Sequence, residues 1–407
     1  MMPEFTLIKE HENRFASSIP RLPQGRFVSV VILRETKDTA IFTTEGEMLD
    51  TEKVPAGLQD LTPMDRAVMF KRKQVAPERR TGKALLRNAG AFPFAVDLTA
   101  NTVVFGEEEV RRLDQSARAG TNVREAKVHD EVVHVSIRRG RRRGRQGPQI
   151  LFAAYSCHLL DALCGHCPDC LLYGYAAVVG EGARRSRVLT DSAFTVQPYE
   201  KVQEFKKFNY IDEETMTSGT ITEFDHLKPG IILPCVETLV DVTADEFVYV
   251  LGNILKTTRY GKEASREGFV RNHIVAIAFS DVELFSNLEL TQAFYDAFKA
   301  DGGVNLDEGY LTLEDFRRHL PSVLEILLQR VFGTVTVVTD EARANNRRVA
   351  WKTGLREFLN QLGDFYANET EVREFLRRLT TSAATFAAAA PAAEEAEEEG
   401  EAPEAEE

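Results

Sequence analysis

The sequence has 407 residues, 43% of them hydrophobic, which suffices for two or three domains or for one core with large insertions. The formal net charge is −13, but residues 392–407 hold nine glutamates and no basic residue, so basic surfaces remain possible elsewhere. No run approaches the ~18 apolar residues of a membrane span, and the start of the chain lacks the apolar core of a signal peptide. We therefore expect a cytoplasmic protein with no membrane partner.

The first ninety residues predict strands followed by a basic helix. Residues 26–33 (RFVSVVIL) are rich in β-branched side chains, which is typical of a buried strand, and residues 40–44 and 67–73 predict two more. A helix is predicted after Pro77, and its start offers backbone N–H groups to a phosphate. The alternative is a solvated charged helix face. The candidate phosphate contacts are Lys71, Arg72, Lys73, Arg79, Arg80, Lys83 and Arg87.

Residues 91–200 are predicted to form an insertion into this core. Residues 101–150 are hydrophilic and strand-like, and they end in an arginine-glycine loop at 138–147 that holds six arginines. Such a loop cannot pack in a core, and we expect it to be an exposed basic turn. Farther along the insertion, Arg184, Arg185 and Arg187 enter another predicted strand, and the first two are candidate RNA contacts.

Four of the five cysteines lie in the stretch CHLLDALCGHCPDCLLYG, residues 157–174. Cys164, Cys167 and Cys170 recur at every third residue, which lets their thiolates converge on one tetrahedral ion. The absence of a secretory signal favours a metal over disulfides. A redox C-x-x-C pair is another alternative, but it would leave the third evenly spaced cysteine unexplained. We predict a structural zinc site.

The fourth zinc ligand stays open at this stage. If residues 157–164 formed one helix, Cys157 and Cys164 would share a face but lie about 10 Å apart. Cys157 could therefore serve only if that helix breaks, and His158 or His166 could replace it. Four protein ligands leave no position for substrate, so the zinc would stabilise the fold and would not catalyse a reaction.

The rest of the chain predicts a projecting hairpin, a second half of the core and a helical end. Residues 201–227 form two polar arms around Ser218 and Gly219. Residues 228–283 predict strand, helix and strand, with Thr243 as the helix cap and a glycine-bearing basic loop, RYGKEASREG, before the last strand. This order is that of half a ferredoxin-like fold. Residues 284–383 are predicted to be helical, and 384–407 to form a disordered acidic tail.

Four segments, in this order, resemble one protein family: FKRKQVAPERRTGKALLR, CPDCLLYG, RRSRVLTDSAF and TTRYGKEASREGFVRNHIVAIAF. They are similar to the backbone subunit of type I-D CRISPR effector complexes, a crRNA-binding protein of the Cas-seven class, the Csc family and the RAMP superfamily. The resemblance covers residues 20–300. It implies an α+β fold, with a modified ferredoxin-like or RNA-recognition-motif core formed by residues 20–90 and 228–283.

The resemblance also implies a function and its partners. Members polymerise along the guide RNA as a helical filament, hold its phosphates without regard to sequence, and use the hairpin as a thumb that displaces bases. The guide then pairs with target DNA or RNA, next to a Cas-five-like cap and a large subunit. Besides the basic residues named near the first helix, the matching positions are Arg259, Tyr260 and Arg266 in the glycine-bearing loop. Residues 215–222 are the thumb tip, where Met216, Thr217 and Ser218 are candidate RNA contacts.

Two other functions compete with this scaffold role. Related backbone subunits cut the target with an aspartate after the first strand, where this sequence offers Glu45, Glu47 and Asp50, but their spacing is not diagnostic of catalysis. A zinc-stabilised ribosomal or tRNA-associated protein would share the basic groups, but it would not need a projecting hairpin.

Overall fold

The computed structural model describes residues 5–97, 102–110, 123–128, 131–138, 149–150, 152–155, 157, 163–176, 183–211, 218–302, 305–307 and 310–389. The strands are β1 (Phe27–Thr36), β2 (Thr51–Pro55), β3 (Pro63–Met69), β4 (Phe94–Asp97), β5 (Thr102–Phe105), β6 (Val123–Val128), β7 (Glu131–Arg138), β8 (Gln149–Ile150), β9 (Phe152–Tyr155), β10 (Tyr175–Ala176), β11 (Ala183–Arg184), β12 (Val188–Thr190), β13 (Ala193–Phe194), β14 (Gln203–Ile211), β15 (Ser218–Leu227), β16 (Ile232–Val240), β17 (Val270–Ser280), β18 (Val335–Thr339) and β19 (Val349–Thr353). The helices are α1 (Thr6–Glu10), a 3-10 turn (Glu12–Arg14), α2 (Lys71–Asn88), α3 (Pro168–Tyr173), α4 (Tyr199–Val202), α5 (Ala244–Lys256), α6 (Asn287–Ala300), α7 (Leu313–Leu328), α8 (Leu355–Ala367) and α9 (Glu369–Ala388).

A six-stranded mixed sheet, in the order β12-β16-β1-β17-β18-β19, forms the centre of this mixed α/β protein. β1 pairs antiparallel with both β16 and β17, whereas β18 and β19 are parallel. Side chains of β1 are buried on both faces: Val30 packs into a core shared with α2, α5, α8 and α9, and Val31 into one shared with α6 and α7. Burial on both faces explains why residues 27–33 are apolar at every position but Ser29, without alternation. In the described part of the chain, no helix combines the length and the apolar character that a bilayer span requires.

β16, α5 and β17 form a strand-helix-strand unit in which β1 lies between the two strands. The predicted cap of its helix is confirmed: the Thr243 hydroxyl accepts from the Glu246 N–H at 3.2 Å, and the Glu246 carboxylate accepts from the Thr243 N–H at 2.9 Å. This capping box satisfies two N–H groups that would otherwise lack partners. The helix therefore begins where the sequence predicts.

A buried polar cluster fastens α2 and the glycine-bearing loop to the sheet. Arg34 on β1 forms ion pairs of 2.8 Å with Glu78 on α2 and of 2.6 Å with Glu237 on β16, and all three side chains are fully buried. Arg34 also donates to the Tyr260 hydroxyl at 3.0 Å, and that hydroxyl donates to Glu78 at 3.0 Å. Burial and the nearby Glu78 carboxylate raise the pKa of Glu237 well above its usual range, and the Arg34 guanidinium opposes this shift.

The predicted boundary between strand and helix at residues 67–73 was wrong. β3 ends at Met69, and α2 begins at Lys71 and continues through Pro77. Lysine and arginine are good helix formers, and the packing of α2 against the sheet outweighs the hydrogen bond that the proline removes. Residues 40–44 are not a regular strand either, because Ala40 and Ile41 form only isolated bridges, to Leu227 and Lys262.

The projecting hairpin consists of β14 and β15, which pair only with each other among the described strands. The predicted turn through Ser218 and Gly219 was wrong in position. Ser218 already belongs to β15 and pairs with Ile211, so the connection comprises residues 212–217, which are outside the described residues. Polar residues populate both the strands and the turn of a hairpin, so composition alone does not locate the turn.

The C-terminal segment, predicted to be helical, contains α6 to α9 and also two strands, β18 and β19, that extend the central sheet. The predicted start of the disordered tail at residue 384 was wrong, because α9 continues to Ala388. Alanine has the highest helix propensity, and the fully buried Ala384 packs against the cysteine-bearing part of the chain. The glutamate-rich residues 392–407 and the loop at 139–147 are outside the described residues.

Candidate metal centre and nucleic-acid interface

Four cysteines converge in the insertion. The sulfur atoms of Cys157, Cys164, Cys167 and Cys170 all lie within 4.8 Å of one another. The Cys157 sulfur is 3.6 Å from that of Cys170 and 3.8 Å from that of Cys167. Tetrahedral Zn–S bonds of about 2.3 Å place sulfurs about 3.8 Å apart, whereas a disulfide needs about 2.05 Å. All four thiols are free, and the cluster can hold one metal ion.

The short turn from Cys164 to Cys170 orients its sulfurs through backbone donors. The N–H of His166 donates to the Cys164 sulfur at 3.4 Å, and the N–H of Cys170 donates to the Cys167 sulfur at 3.5 Å. Cys167 is also the N-cap of α3, so the positive end of a helix faces its sulfur. Such donors stabilise thiolates, which are the form that binds a metal.

The structure selects Cys157 as the fourth member of the cluster. Cys157 follows the end of β9 at Tyr155, and it is not helical, so the helix that would have kept it about 10 Å from Cys164 does not start there. The His166 Nδ1 instead lies 2.7 Å from the Cys164 carbonyl oxygen, and this histidine is not part of the cluster. His158 is outside the described residues.

One face of α2 packs against the cysteine cluster through basic side chains. Lys83 donates to the Cys157 sulfur at 2.7 Å and lies 3.2 Å from the Asp169 carboxylate. Arg79 pairs with Asp169 at 2.7 Å, and Arg87 donates to the Cys157 carbonyl oxygen at 2.8 Å. Burial opposes the charge of Lys83, but electrostatic attraction to the Cys167 sulfur, the Asp169 carboxylate and the Cys157 sulfur outweighs it and raises the pKa of Lys83.

The location of Lys83 corrects its predicted role. Its side chain is 1% exposed, so a phosphate outside the protein cannot reach the ammonium group. The i, i+4 spacing of Lys83 and Arg87 did place them on one face, but this face packs on the cysteine cluster. A tetrathiolate site with a divalent metal carries a net negative charge, and the Lys83 ammonium is positioned to compensate it.

We expect Lys83→Met to weaken metal binding by about 10- to 100-fold, the usual effect of losing a partner that contacts a metal ligand. Competition with a chromogenic chelator measures the affinity. Arg80→Met is the matched control, because Arg80 is an exposed cation on the same helix with no contact to the cluster. Equal affinity in the Lys83 variant and the unmodified protein would refute the compensating role.

The other face of α2 contacts the glycine-bearing loop, residues 257–268. The Thr257 hydroxyl donates to that of Thr81 at 2.7 Å, and Tyr260 bonds to Glu78 as described above. Gly261 and Gly268 have φ values of 92° and 75°, and a Cβ at Gly268 would lie 2.0 Å from the Tyr260 carbonyl oxygen. The loop therefore requires both glycines to fold back against α2.

Tyr260 was predicted to contact RNA, but its side chain is fully buried. Its hydroxyl fastens the loop to the Arg34 cluster, so it supports the loop from the protein interior. An aromatic residue in a basic loop fits either a stacking surface or a buried anchor, and the sequence does not distinguish these roles.

The base of the β14–β15 hairpin lies on the opposite side of this loop. The His226 Nε2 is 3.0 Å from the Glu267 carboxylate, and the Lys262 ammonium lies 5.0 Å from the centre of the Phe224 ring. Lys206 donates to the Thr39 hydroxyl at 3.2 Å. The loop is therefore placed between α2 and the hairpin, and these three elements form one connected region.

We name the exposed cations of this region the α2–loop surface. Its members are Lys71, Arg72, Lys73, Arg80, Lys262 and Arg266. All but the half-buried Lys73 are exposed, and within the described residues none of the six forms an ion pair. Lys262 was not predicted as a contact, although it lies between Tyr260 and Arg266 in the same basic loop.

The remaining predicted RNA contacts lie outside this surface, and two of them, Arg259 and Arg184, already contact other groups of the protein. Arg259 is exposed, and it donates to the Glu267 carbonyl oxygen at 3.1 Å. Arg184 lies over the Phe386 ring at 4.8 Å, near the cysteine cluster, and its neighbour Arg185 is exposed. Met216 and Thr217 are outside the described residues, and of Ser218 only the backbone is described.

The acidic residues considered for nuclease chemistry do not form a metal-binding group. Asp50 accepts hydrogen bonds from the Thr44 N–H at 3.1 Å and from the Thr44 hydroxyl at 2.9 Å, so it closes a local turn. Neither Glu45 nor Glu47 joins it in a cluster of ligands. Among the described residues, the group that could hold a metal is the cysteine cluster.

Comparisons with known proteins agree with this architecture. A family model described as Csc2 Crispr matches residues 14–105 and 133–372. The crystal structure of Thermofilum pendens Csc2 is similar to this chain at 18% identity, covers 94% of each chain and superposes with a TM-score of 0.55, which shows a shared fold. No curated protein sequence matches this one.

Two further solved structures are more distant. A CRISPR RNA-guided surveillance complex in a pre-nicking state is 12% identical, covers 83% of this chain and 99% of the other, and has a TM-score of 0.46. A second CRISPR RNA-guided surveillance complex is 10% identical, covers 82% and 99%, and has a TM-score of 0.38. TM-scores this low do not establish a common fold.

Proposed function

Because this chain belongs to the Csc2 CRISPR family, we propose that it binds guide RNA as the backbone subunit of a type I-D CRISPR effector complex. Copies of the chain polymerise along the crRNA in the cytoplasm and present it for pairing with target DNA or RNA. A Cas-five-like cap and a large subunit complete the complex. In this role the protein is a binding scaffold and has no required chemistry of its own.

The observation that supports this function best is the α2–loop surface. Six cations without carboxylate partners lie on adjoining elements, beside a hairpin that pairs with no other described strand. Unpaired guanidinium and ammonium groups attract phosphates, and a protein that must accept any guide sequence benefits from contacts to phosphate and sugar alone. Base edges then remain free for the complementary strand.

The order of the central strands supports a modified ferredoxin-like or RNA-recognition-motif core. In such a fold each half consists of a strand, a helix and a strand, and the first strand of one half lies between the two strands of the other. Here β1, α2 and β12 would form the first half, and β16, α5 and β17 the second. The observed order β12-β16-β1-β17 places β1 between β16 and β17, as this arrangement requires. Members of this fold group commonly bind single-stranded RNA across the sheet region. β18 and β19 would then be additions at one edge.

We further propose that the ion of the cysteine cluster is zinc. Four thiolates in a tetrahedral arrangement suit zinc, and no ligand position is left for a substrate. The ion would fix the turn at 164–170 and α3 against α2 and thus support the helix that carries Arg72 and Arg80. Its role is structural.

Sequencing the RNA that copurifies with the protein tests the function. Guide RNAs of uniform length that carry repeat-derived ends are the expected result. The α2–loop triple variant described in the Discussion serves as the comparison sample, and it should carry less RNA per chain. A random sample of cellular RNA, or tRNA alone, would refute the CRISPR role and favour the tRNA-associated alternative.

Shortening the hairpin should change how the protein holds guide RNA in assembled complexes without changing the folding of the monomer. We would delete residues 209–221 and join the paired residues Phe208 and Thr222 by Asn-Gly, a two-residue turn that suits antiparallel strands. A two-stranded ribbon buries little surface, so the melting temperature and metal content of the monomer should not change. The contacts of His226 and Lys262 at its base are kept.

The same variant should lose the periodic pattern of base reactivity along a bound guide, because no thumb is left to displace bases. Chemical probing of unpaired bases in assembled complexes measures this pattern. An unchanged periodic pattern in the shortened protein would rule out the thumb assignment.

A further inference from the structure

A second exposed patch lies at the other end of the central sheet. Phe332, in the connection from α7 to β18, is 90% exposed, the highest value among the large apolar side chains of the described residues. A single exposed apolar side chain is common on protein surfaces and does not by itself imply a partner. The charged residues next to Phe332 are what indicate a binding surface.

Three arginines lie on this connection or on the loop next to it. Arg330 precedes Phe332 by two residues, and Arg347 and Arg348 lie in the loop between β18 and β19. The N–H of Val335 donates to the Arg348 carbonyl oxygen at 2.8 Å, which holds this loop beside the start of β18. All three arginines are exposed, and within the described part of the chain none of their guanidinium groups has an ion-pair or hydrogen-bond partner.

The patch borders a cleft of about 280 Å³ whose acidic residue is already neutralised. The cleft is lined by residues of α7, of the β18–β19 loop and of β19, among them Glu325, Arg347, Arg348 and Trp351. Arg343 forms an ion pair with Glu325, and its guanidinium lies 5.8 Å from the centre of the Trp351 ring. The cleft therefore offers no free carboxylate to Arg347 and Arg348, and the carboxylate that lies beside the connection, at Gly333, is that of the exposed Asp281.

The loop that carries two of these arginines is held in place. The Asn346 side-chain oxygen accepts from the N–H groups of Arg348 and Val349, each at 2.8 Å, and the Asn345 oxygen accepts from the Trp351 N–H at 2.6 Å. These bonds fix the backbone before any ligand arrives, which lowers the entropy lost on binding.

This patch is separate from the α2–loop surface. The glycine-bearing loop joins β17 at Val270, whereas Val335 pairs with Ser280 at the other end of that strand. At about 3.3 Å per residue, the two ends of this 11-residue strand are roughly 33 Å apart. One short segment of guide cannot contact both regions at once.

We propose that Phe332, Arg330, Arg347 and Arg348 form a second binding surface, for a single-stranded nucleic acid other than the segment held on the α2–loop surface. Guanidinium groups bind phosphates through paired N–H donors, and an exposed aromatic ring stacks on a base of any sequence. Stacking needs an unpaired base, so a single strand fits and a duplex does not. The charge complementarity favours nucleic acid over a protein partner, whose interface would need carboxylates matched to all three arginines.

The test measures binding of fluorescently labelled oligo-dT and oligo-U of 12 nucleotides to the full chain by fluorescence anisotropy. The background protein carries substitutions that neutralise the α2–loop surface, so the second surface is observed alone. Phe332→Ala should weaken binding by about tenfold, within the range measured for the loss of one stacked base, and Phe332→Tyr should restore it. Comparing the two oligonucleotides distinguishes DNA from RNA.

Arg347→Gln with Arg348→Gln should weaken binding by about tenfold and reduce the slope of log affinity against log salt by about 1.4, since each phosphate contact on a single strand contributes about 0.7. The matched control is Arg317→Gln with Arg373→Gln, which removes two exposed, unpaired arginines from α7 and α9. The control should stay within twofold of the background protein.

Two results would overturn the proposal. One is binding within twofold of the control for both the Phe332→Ala and the double arginine variants. The other is a change of oligomeric state in Phe332→Ala, measured by light scattering, with oligonucleotide binding unchanged, which would make the patch an interface between proteins. Neither result depends on whether the α2–loop surface binds guide RNA, so the two proposals fail separately.

Discussion

Replacing Cys167 by serine is expected to reduce the metal content from one ion per chain to almost none and to lower the melting temperature. Cys167 contributes a sulfur to the cluster and caps α3, so one substitution removes a ligand and distorts the turn that presents two others. Structural zinc sites contribute about 10–16 kcal/mol of apparent binding free energy at neutral pH, so losing one ligand should be decisive. Elemental analysis and thermal unfolding measure the two effects.

Cys235→Ser is the matched control for this experiment. Cys235 is the fifth cysteine; it is fully buried in β16, and it lies outside the cluster. Its substitution can cost some stability through packing, but it should leave the metal content at one ion per chain. Metal-free protein prepared with a chelator tests the structural role of the ion directly. If this protein melts at the same temperature as the metal-bound protein, the ion has no structural role.

Replacing Arg72, Arg80 and Arg266 together by glutamine should weaken the binding of every RNA sequence alike. The three side chains are exposed and form no ion pair within the described residues; Arg72 and Arg80 lie on α2 and Arg266 lies in the glycine-bearing loop. Loss of three phosphate contacts should lower the salt slope by about 2, at about 0.7 per contact on a single strand. Affinity measured between 50 and 200 mM salt, for three unrelated RNA sequences, gives both quantities.

The control for the triple variant is the substitution of Arg14, Arg317 and Arg373 by glutamine, which changes the net charge equally but leaves the α2–loop surface intact. Both variants should melt like the unmodified protein, because none of these arginines forms an ion pair within the described residues. An equal loss in both variants would mean that only net charge matters. A loss confined to one RNA sequence would indicate base readout and contradict the scaffold model.

The cysteine spacing predicted the kind of site, and the tertiary structure decided its composition. Regular spacing of Cys164, Cys167 and Cys170 indicates a turn that gathers three sulfurs, a property of local backbone geometry. The fourth ligand depends on where the chain enters the turn. That entry is fixed by the pairing of β9 with β4, a contact between residues far apart in the sequence.

The same division applies to the basic residues. Composition and spacing located Lys71 to Arg87 as a basic element that could bind phosphate, and the family resemblance added the contacts in the glycine-bearing loop. They could not reveal that Lys83 lies inside the cysteine cluster or that Tyr260 anchors the core, because burial depends on which elements pack together. Likewise, the loop that carries Arg347 and Arg348 returns to the connection that carries Phe332 because β18 and β19 pair in parallel.

The sequence by itself determined the features that arise from neighbouring residues: the apolar run of β1, the capping box of α5, the hairpin arms and the cysteine turn. Local propensity, capping and spacing suffice for these. Only the tertiary structure decided the length of α2 through Pro77, the continuation of α9 through its alanines, and the division of the basic residues into buried and exposed sets. Each of these follows from long-range packing, whose free energy outweighs the local preferences of the chain.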